Sequence, residues 1–191
     1  MSDTGLEAAL DRLAALAVGC KALAPQVSRV AGRYADTLRA GGTLYFCGNG
    51  GGAADAQHLA TEYVVRYAAT RRPLAAVALT TDTSVLTAAG NDLGFEQIFA
   101  RQVEALCRSG DLLVLHSTSG ESVNLLAAAR AARARGAATV AFLGRGGGAL
   151  AGLVDEAVVV PSADTGQIQV LHLALEHLVV ELVEAALSGA S

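Results

Sequence analysis

The sequence predicts an α/β protein built on a doubly wound, five-stranded parallel sheet flanked by helices, with extra helices at the N-terminus. Three observations lead there. Five short apolar runs recur along the 191 residues, and strands buried on both faces read as unbroken apolar runs. Helical patterns separate most of these runs, which is the alternation of parallel βαβ units. Loops rich in glycine or hydroxyls follow two of the runs, where open parallel sheets bind ligands.

The elements follow in order. Leu6, Leu10, Leu13 and Ala17 recur at helical spacing, as do Val27, Val30, Tyr34 and Leu38. They predict two helices broken near Pro25. Thr43 to Cys47 is short, apolar and aromatic and predicts the first strand. A glycine loop and a helical pattern from Ala53 to about Ala68 come next. The remaining strands are expected at Leu74–Leu79, Leu112–Leu115, Thr139–Leu143 and Ala157–Val160. Helices are expected at Phe95–Cys107 and Val123–Arg135, and a long amphipathic one from Ile168 to Leu187. No linker divides the chain. One domain is expected over 1–191, with a helical arm over 1–40 and an α/β core over 41–191.

Composition narrows the function. A 52% hydrophobic and 17% charged chain is not a disordered one. The net charge of −4 provides no field for nucleic acid. Cys20, Cys47 and Cys107 are far apart and odd in number, which argues against a disulfide framework and for a reducing, cytoplasmic setting. The N-terminus lacks the pattern of a signal peptide. No apolar run approaches the ~18 residues of a membrane span.

The chemistry is expected beyond the strands. After the first comes Gly48-Asn-Gly-Gly-Gly-Ala53, which lets the backbone approach a ligand at a helix N-terminus. After the third comes Ser117-Thr-Ser-Gly-Glu-Ser122, with four hydroxyls at another helix start. A single serine there would be an ordinary cap. Four hydroxyls favour a phosphate cradle. Gly48, Gly50 and Ala53 also fit a loose dinucleotide pattern, but the acidic residue expected ~20 positions on is missing. The second glycine run, Gly144 to Gly148, reads as a flexible loop. His58 and Glu62 are four apart and share a helix face, suited to one divalent ion or to acid–base work. A solvated ion pair is the plainer reading. The last helix carries Gln169, His172, Glu176, His177 and Glu181, and spacing does not choose between the two histidines.

Several of these segments are specific. Cys47 to His58, Ala78 to Asp92, Gln97 to Glu104, Ser117 to Gly120, and Ile168-Gln169 with His177 closely resemble the bacterial phosphoheptose isomerases of the sugar isomerase (SIS) domain superfamily. The resemblance implies a flavodoxin-like sheet in a homotetramer. It implies interconversion of sedoheptulose 7-phosphate and D-glycero-D-manno-heptose 7-phosphate. It places Ser117, Thr118, Ser119 and Ser122 on the phosphate, and Asn49, Gly50, Gly51, Asn91 and Asp92 on the sugar. It makes His58, Glu62, Gln169 and His177 ligands of one zinc per subunit. Glu62 becomes the catalytic base and His177 the acid, with Arg66 nearby. Departures are visible. Gly52 stands where the family usually has serine, and Gly166-Gln-Ile-Gln-Val170 replaces the usual Asp-Arg-Ile-Gln-Glu. Two other readings remain: a non-catalytic tetrameric SIS adaptor for the replication initiator protein, and an isomerase of another phosphosugar.

Overall fold

The computed structural model describes residues 3–188. The single-domain reading also takes in residues 1–2 and 189–191, which lie outside them. Helix α1 (Asp3–Gly19) leads through one 3₁₀ turn into α2 (Ala24–Arg39). The break falls at Pro25 as expected: proline sits in the first turn of α2, where its missing N–H costs nothing. Strands β1 (Leu44–Gly48), β2 (Ala76–Ala78), β3 (Leu112–Ser117), β4 (Ala138–Leu143) and β5 (Glu156–Val159) pair in parallel, in the order β2-β1-β3-β4-β5. This is the flavodoxin-like order, with its switch point between β1 and β3. Helices α3 (Gly51–Val64), α4 (Thr83–Asp92), α5 (Ala100–Leu106), α6 (Val123–Ala134), α7 (Gly148–Ala151) and α8 (Thr165–Ser188) complete the chain.

Every residue of β1 and β3 is buried, because successive side chains serve opposite layers. Leu44, Phe46, Leu112 and Val114 pack with Val30 and Tyr34 of α2, Leu59 and Tyr63 of α3, and Leu175 and Val179 of α8. Tyr45, Cys47, Leu113 and Leu115 pack instead with Val103 of α5 and Leu125, Ala128 and Ala132 of α6. The expected arm over 1–40 therefore divides. Helix α1 buries no residue, whereas α2 belongs to the helical layer.

Other elements differ from expectation for identifiable reasons. Helix α4 was not read from the sequence, although Asp82 caps it by accepting from the Val85 amide at 3.0 Å. The Phe95–Cys107 segment forms a 3₁₀ turn and then the shorter α5. Helix α3 begins two residues earlier than expected and stops at Val64, where Val65 leaves helical geometry. No helix among the described residues is long and apolar enough to cross a membrane.

Candidate active site

The switch point brings two loops side by side. Gly50, at φ +55°, turns β1 into α3, a conformation that favours glycine. No side chain caps α3 there. The hydroxyl loop turns β3 into α6, and Ser122, at the N-cap, makes no capping bond either. Two uncapped helix N-termini thus meet at one concavity. It encloses about 90 Å³ between Asn49, Gly52, Asp55, His116, Ser117, Thr118, Ser119, Ser122, Gln169 and His172.

The hydroxyls divide their work. Ser117 Oγ accepts from the Gly120 amide at 2.9 Å and Ser119 Oγ from the Glu121 amide at 3.2 Å, which folds the loop. The second glycine run, read as a mere flexible loop, supports it from outside. Gly120 (φ +69°) lies where any Cβ would strike the Gly147 carbonyl. The Leu150 amide bonds the Gly120 carbonyl at 3.0 Å, and the Ala149 amide bonds Glu121 at 2.8 Å. Asn49 is fixed by reciprocal amide bonds of 2.8 and 2.9 Å to buried Asn124. Gln169 of α8 lies so close to Gly51 that a Cβ there would collide with its amide.

About two to three turns further along α3 and α8, His58, Glu62 and His177 converge. One ligand atom from each lies within 4.8 Å of the others. His58 Nε2 is 2.9 Å from His177 Nε2 and 3.3 Å from Glu62 Oε1. Spacing left His172 and His177 open, and the fold separates them. His172 is buried with Nε2 on the Leu143 carbonyl at 2.9 Å. Burial lowers its pKa to about 4, so it is a neutral donor. His177 faces Glu62, and the Tyr67 ring stacks on it at 5.3 Å between centroids.

Other expected residues are not among those that line the concavity. Asn91 and Asp92 are exposed at the end of α4, where Asn91 Nδ2 donates to Asp92 Oδ1 at 2.7 Å. Arg66 is exposed just beyond α3. Asp164, near the altered Gly166 segment, caps α8 by accepting from the Gln167 amide at 3.0 Å.

One pair was not legible in the sequence. His116 Nε2 meets Glu176 Oε1 at 2.7 Å, with both side chains buried and His116 Nδ1 on the Cys47 carbonyl at 3.2 Å. Burial disfavours an imidazolium at His116, and the Glu176 carboxylate outweighs it, so the pKa is raised. Burial likewise raises the Glu176 carboxyl against the pull of His116. The proton between them belongs to the pair. Asp55, on the same wall, is also raised by burial. His116 follows four apolar residues of β3 and gives no periodic signal.

A parallel sheet in this order, with a hydroxyl-rich loop beside a concavity at its switch point, defines a flavodoxin-like α/β domain. The SIS domain family profile matches residues 11–144. The phosphoheptose isomerase of Roseiflexus sp. (strain RS-1) is 53% identical over 164 residues, covering 86% of this chain and 83% of that one. That of Rhodospirillum rubrum is 54% identical over 164 residues, covering 86% and 87%. The solved phosphoheptose isomerase GmhA of Neisseria gonorrhoeae superposes with a TM-score of 0.91 at 39% identity, covering 95% of this chain and 98% of that one. The enzyme from Francisella tularensis superposes at 0.93 and 32% identity, covering 97% and 100%. The chain belongs to the phosphoheptose isomerase family of SIS-domain proteins.

Proposed function

We propose that the chain interconverts sedoheptulose 7-phosphate and D-glycero-D-manno-heptose 7-phosphate by aldose–ketose isomerisation. The observation that carries this reading is the meeting of Glu62 and His177, which lie 115 positions apart by number (177 minus 62), at one point. The hydroxyl cradle supplies the other end of the site. Gln169, on the cradle, and His177 are separated by about 12 Å along α8. That is on the order of the length of an extended phosphorylated sugar.

In this mechanism the two uncapped helix ends and the hydroxyls of Thr118 and Ser122 hold the phosphate. Binding energy from this remote group fixes the reacting carbons. The Glu62 carboxylate takes a proton from C1 of the open-chain ketose. His177 delivers a proton to the oxygen on C2, leaving an enediol. Glu62 then returns the carbon-bound proton to C2, and His177 removes the proton from the oxygen on C1 to give the aldehyde. Imidazole suits this exchange near neutral pH.

Two imidazole nitrogens and a carboxylate oxygen are a fitting donor set for zinc. His58, Glu62 and His177 would hold it; Gln169, the fourth ligand that the resemblance implies, lies instead at the cradle against Gly51. When bound, it supplies positive charge that polarises the carbonyl oxygen. A homotetramer is the proposed assembly, supported by exposed Leu6, Leu10 and Val18 of α1 and Leu178 and Leu182 of α8. The deciding experiment is an isomerase assay with sedoheptulose 7-phosphate, with and without zinc. Turnover that is lost in Glu62→Gln supports the reading. An inactive wild type, or unchanged turnover in the variant, sinks it.

A further inference from the structure

We propose that Arg71 and Glu184 form a positioning clamp that sets Glu62 and His177 opposite one another. The proposal rests on the role given to those two residues. Glu184 lies on α8, two turns beyond His177, and Arg71 lies in the loop after α3. Their side chains are only 6% and 9% exposed, and Arg71 Nε is 2.8 Å from Glu184 Oε1.

The clamp grips the base from one side. The last carbonyls of a helix have no partner within it. At the end of α3 these include Glu62 and Tyr63. Arg71 Nη2 donates to the Glu62 carbonyl at 2.6 Å and Nη1 to the Tyr63 carbonyl at 2.9 Å. A cation also suits a helix C-terminus. Arg71 therefore replaces the next turn of α3, which is why the helix ends at Val64. The backbone of Glu62 is held by a forked group that has no torsional freedom between its nitrogens.

The clamp grips the acid from the other side. Glu184 accepts from the amides of Tyr67 at 3.2 Å, Ala68 at 3.2 Å and Ala69 at 2.9 Å. This fixes the loop that carries Tyr67. The Tyr67 ring lies on His177 with an interplanar angle of 23°, and its hydroxyl donates to Glu181 at 3.3 Å. One buried ion pair thus reaches the base through a carbonyl and the acid through an aromatic ring. The phosphate cradle takes no part in it.

A purely structural anchor would need charge and contact, and lysine supplies both. A positioning clamp needs the fork. Arg71→Lys is therefore expected to keep most of its thermal stability and a KM within about twofold, while kcat falls about 100-fold, as a misplacement near 1 Å costs. Arg29→Ala serves as the control, because it removes an ion pair to Glu156 between α2 and β5, away from the site. It should leave kcat unchanged. Wild-type kcat in Arg71→Lys, or a fall in kcat matched by an equal fall in Arg29→Ala, overturns the clamp. A crystal structure of Arg71→Lys decides the geometry whether or not the enzyme turns over this sugar. Glu62 or His177 displaced from His58 supports the clamp, and an unmoved trio overturns it. Failure of the wild type to isomerise sedoheptulose 7-phosphate would instead sink the substrate reading alone.

Discussion

Nε2 of His116 stands 2.7 Å from Oε1 of Glu176, and neither side chain reaches solvent. His116 precedes the first serine of the cradle, and Glu176 precedes the proposed acid. The pair joins the strand that leads into the hydroxyl loop to the helix that carries His177. Glu176 Oε2 is buried without a hydrogen-bond partner, so the pair is not fully compensated.

Breaking one side of such a pair leaves an uncompensated buried group. Glu176→Gln is expected to cost about 3–5 kcal/mol of stability. Chemical denaturation measures it. The double variant His116→Leu/Glu176→Leu should recover much of the loss, since apolar packing often substitutes for a buried ion pair. A single variant as stable as wild type would contradict this account.

His172 makes stability depend on pH. Unfolded, its imidazole titrates near 6.5, and folded near 4. Between these values the unfolded state binds more protons, so stability rises with pH. The contribution is complete above 6.5 and is lost as pH falls toward 4. His172→Gln should flatten the fall in stability between pH 7.5 and 5, measured by urea midpoints. Parallel curves for the two proteins would refute it.

Gly120 holds φ +69° with the Gly147 carbonyl where a Cβ would go. Gly120→Ala should therefore deform the hydroxyl loop. Strain of this kind costs about 1–3 kcal/mol. Inorganic phosphate should bind the variant more weakly in calorimetry, and KM should rise. Unaltered phosphate affinity would show that the loop is not the cradle.

Zinc affinity tests the trio separately from turnover. Calorimetry of apo protein should give one site per chain, weakened about tenfold or more in His58→Ala, because the metal then loses an imidazole. His172→Gln should bind zinc as wild type does, since His172 is committed to the Leu143 carbonyl. Equal affinity in His58→Ala would remove His58 from the ligand set.

The strands were legible because burial on both faces leaves an unbroken apolar signature. The hydroxyl loop was legible because Ser117, Thr118, Ser119 and Ser122 cluster directly after one of them. Helix α4 was missed because the apolar residues of Thr83–Asp92 are few and only Ala89 is buried. The end of α3 was misplaced because Arg71, nine residues after Glu62, terminates it by a tertiary contact that periodicity does not show. Spacing alone did not choose between His172 and His177, because both lie on α8 and differ in what faces them; the resemblance picked His177. His116 with Glu176 was invisible for the same reason: their partnership spans 60 residues.

The cradle draws on β1, β3 and α8, and α8 ends the described chain at Ser188. A nascent polypeptide that has emerged only as far as Gly148 already carries both binding loops but neither Gln169 nor His177. Under the proposed function, capture of the sugar thus requires α8 to be docked on the sheet. On that reading, a chain cut before α8 keeps the glycine and hydroxyl loops and yet lacks the groups that would close on the sugar.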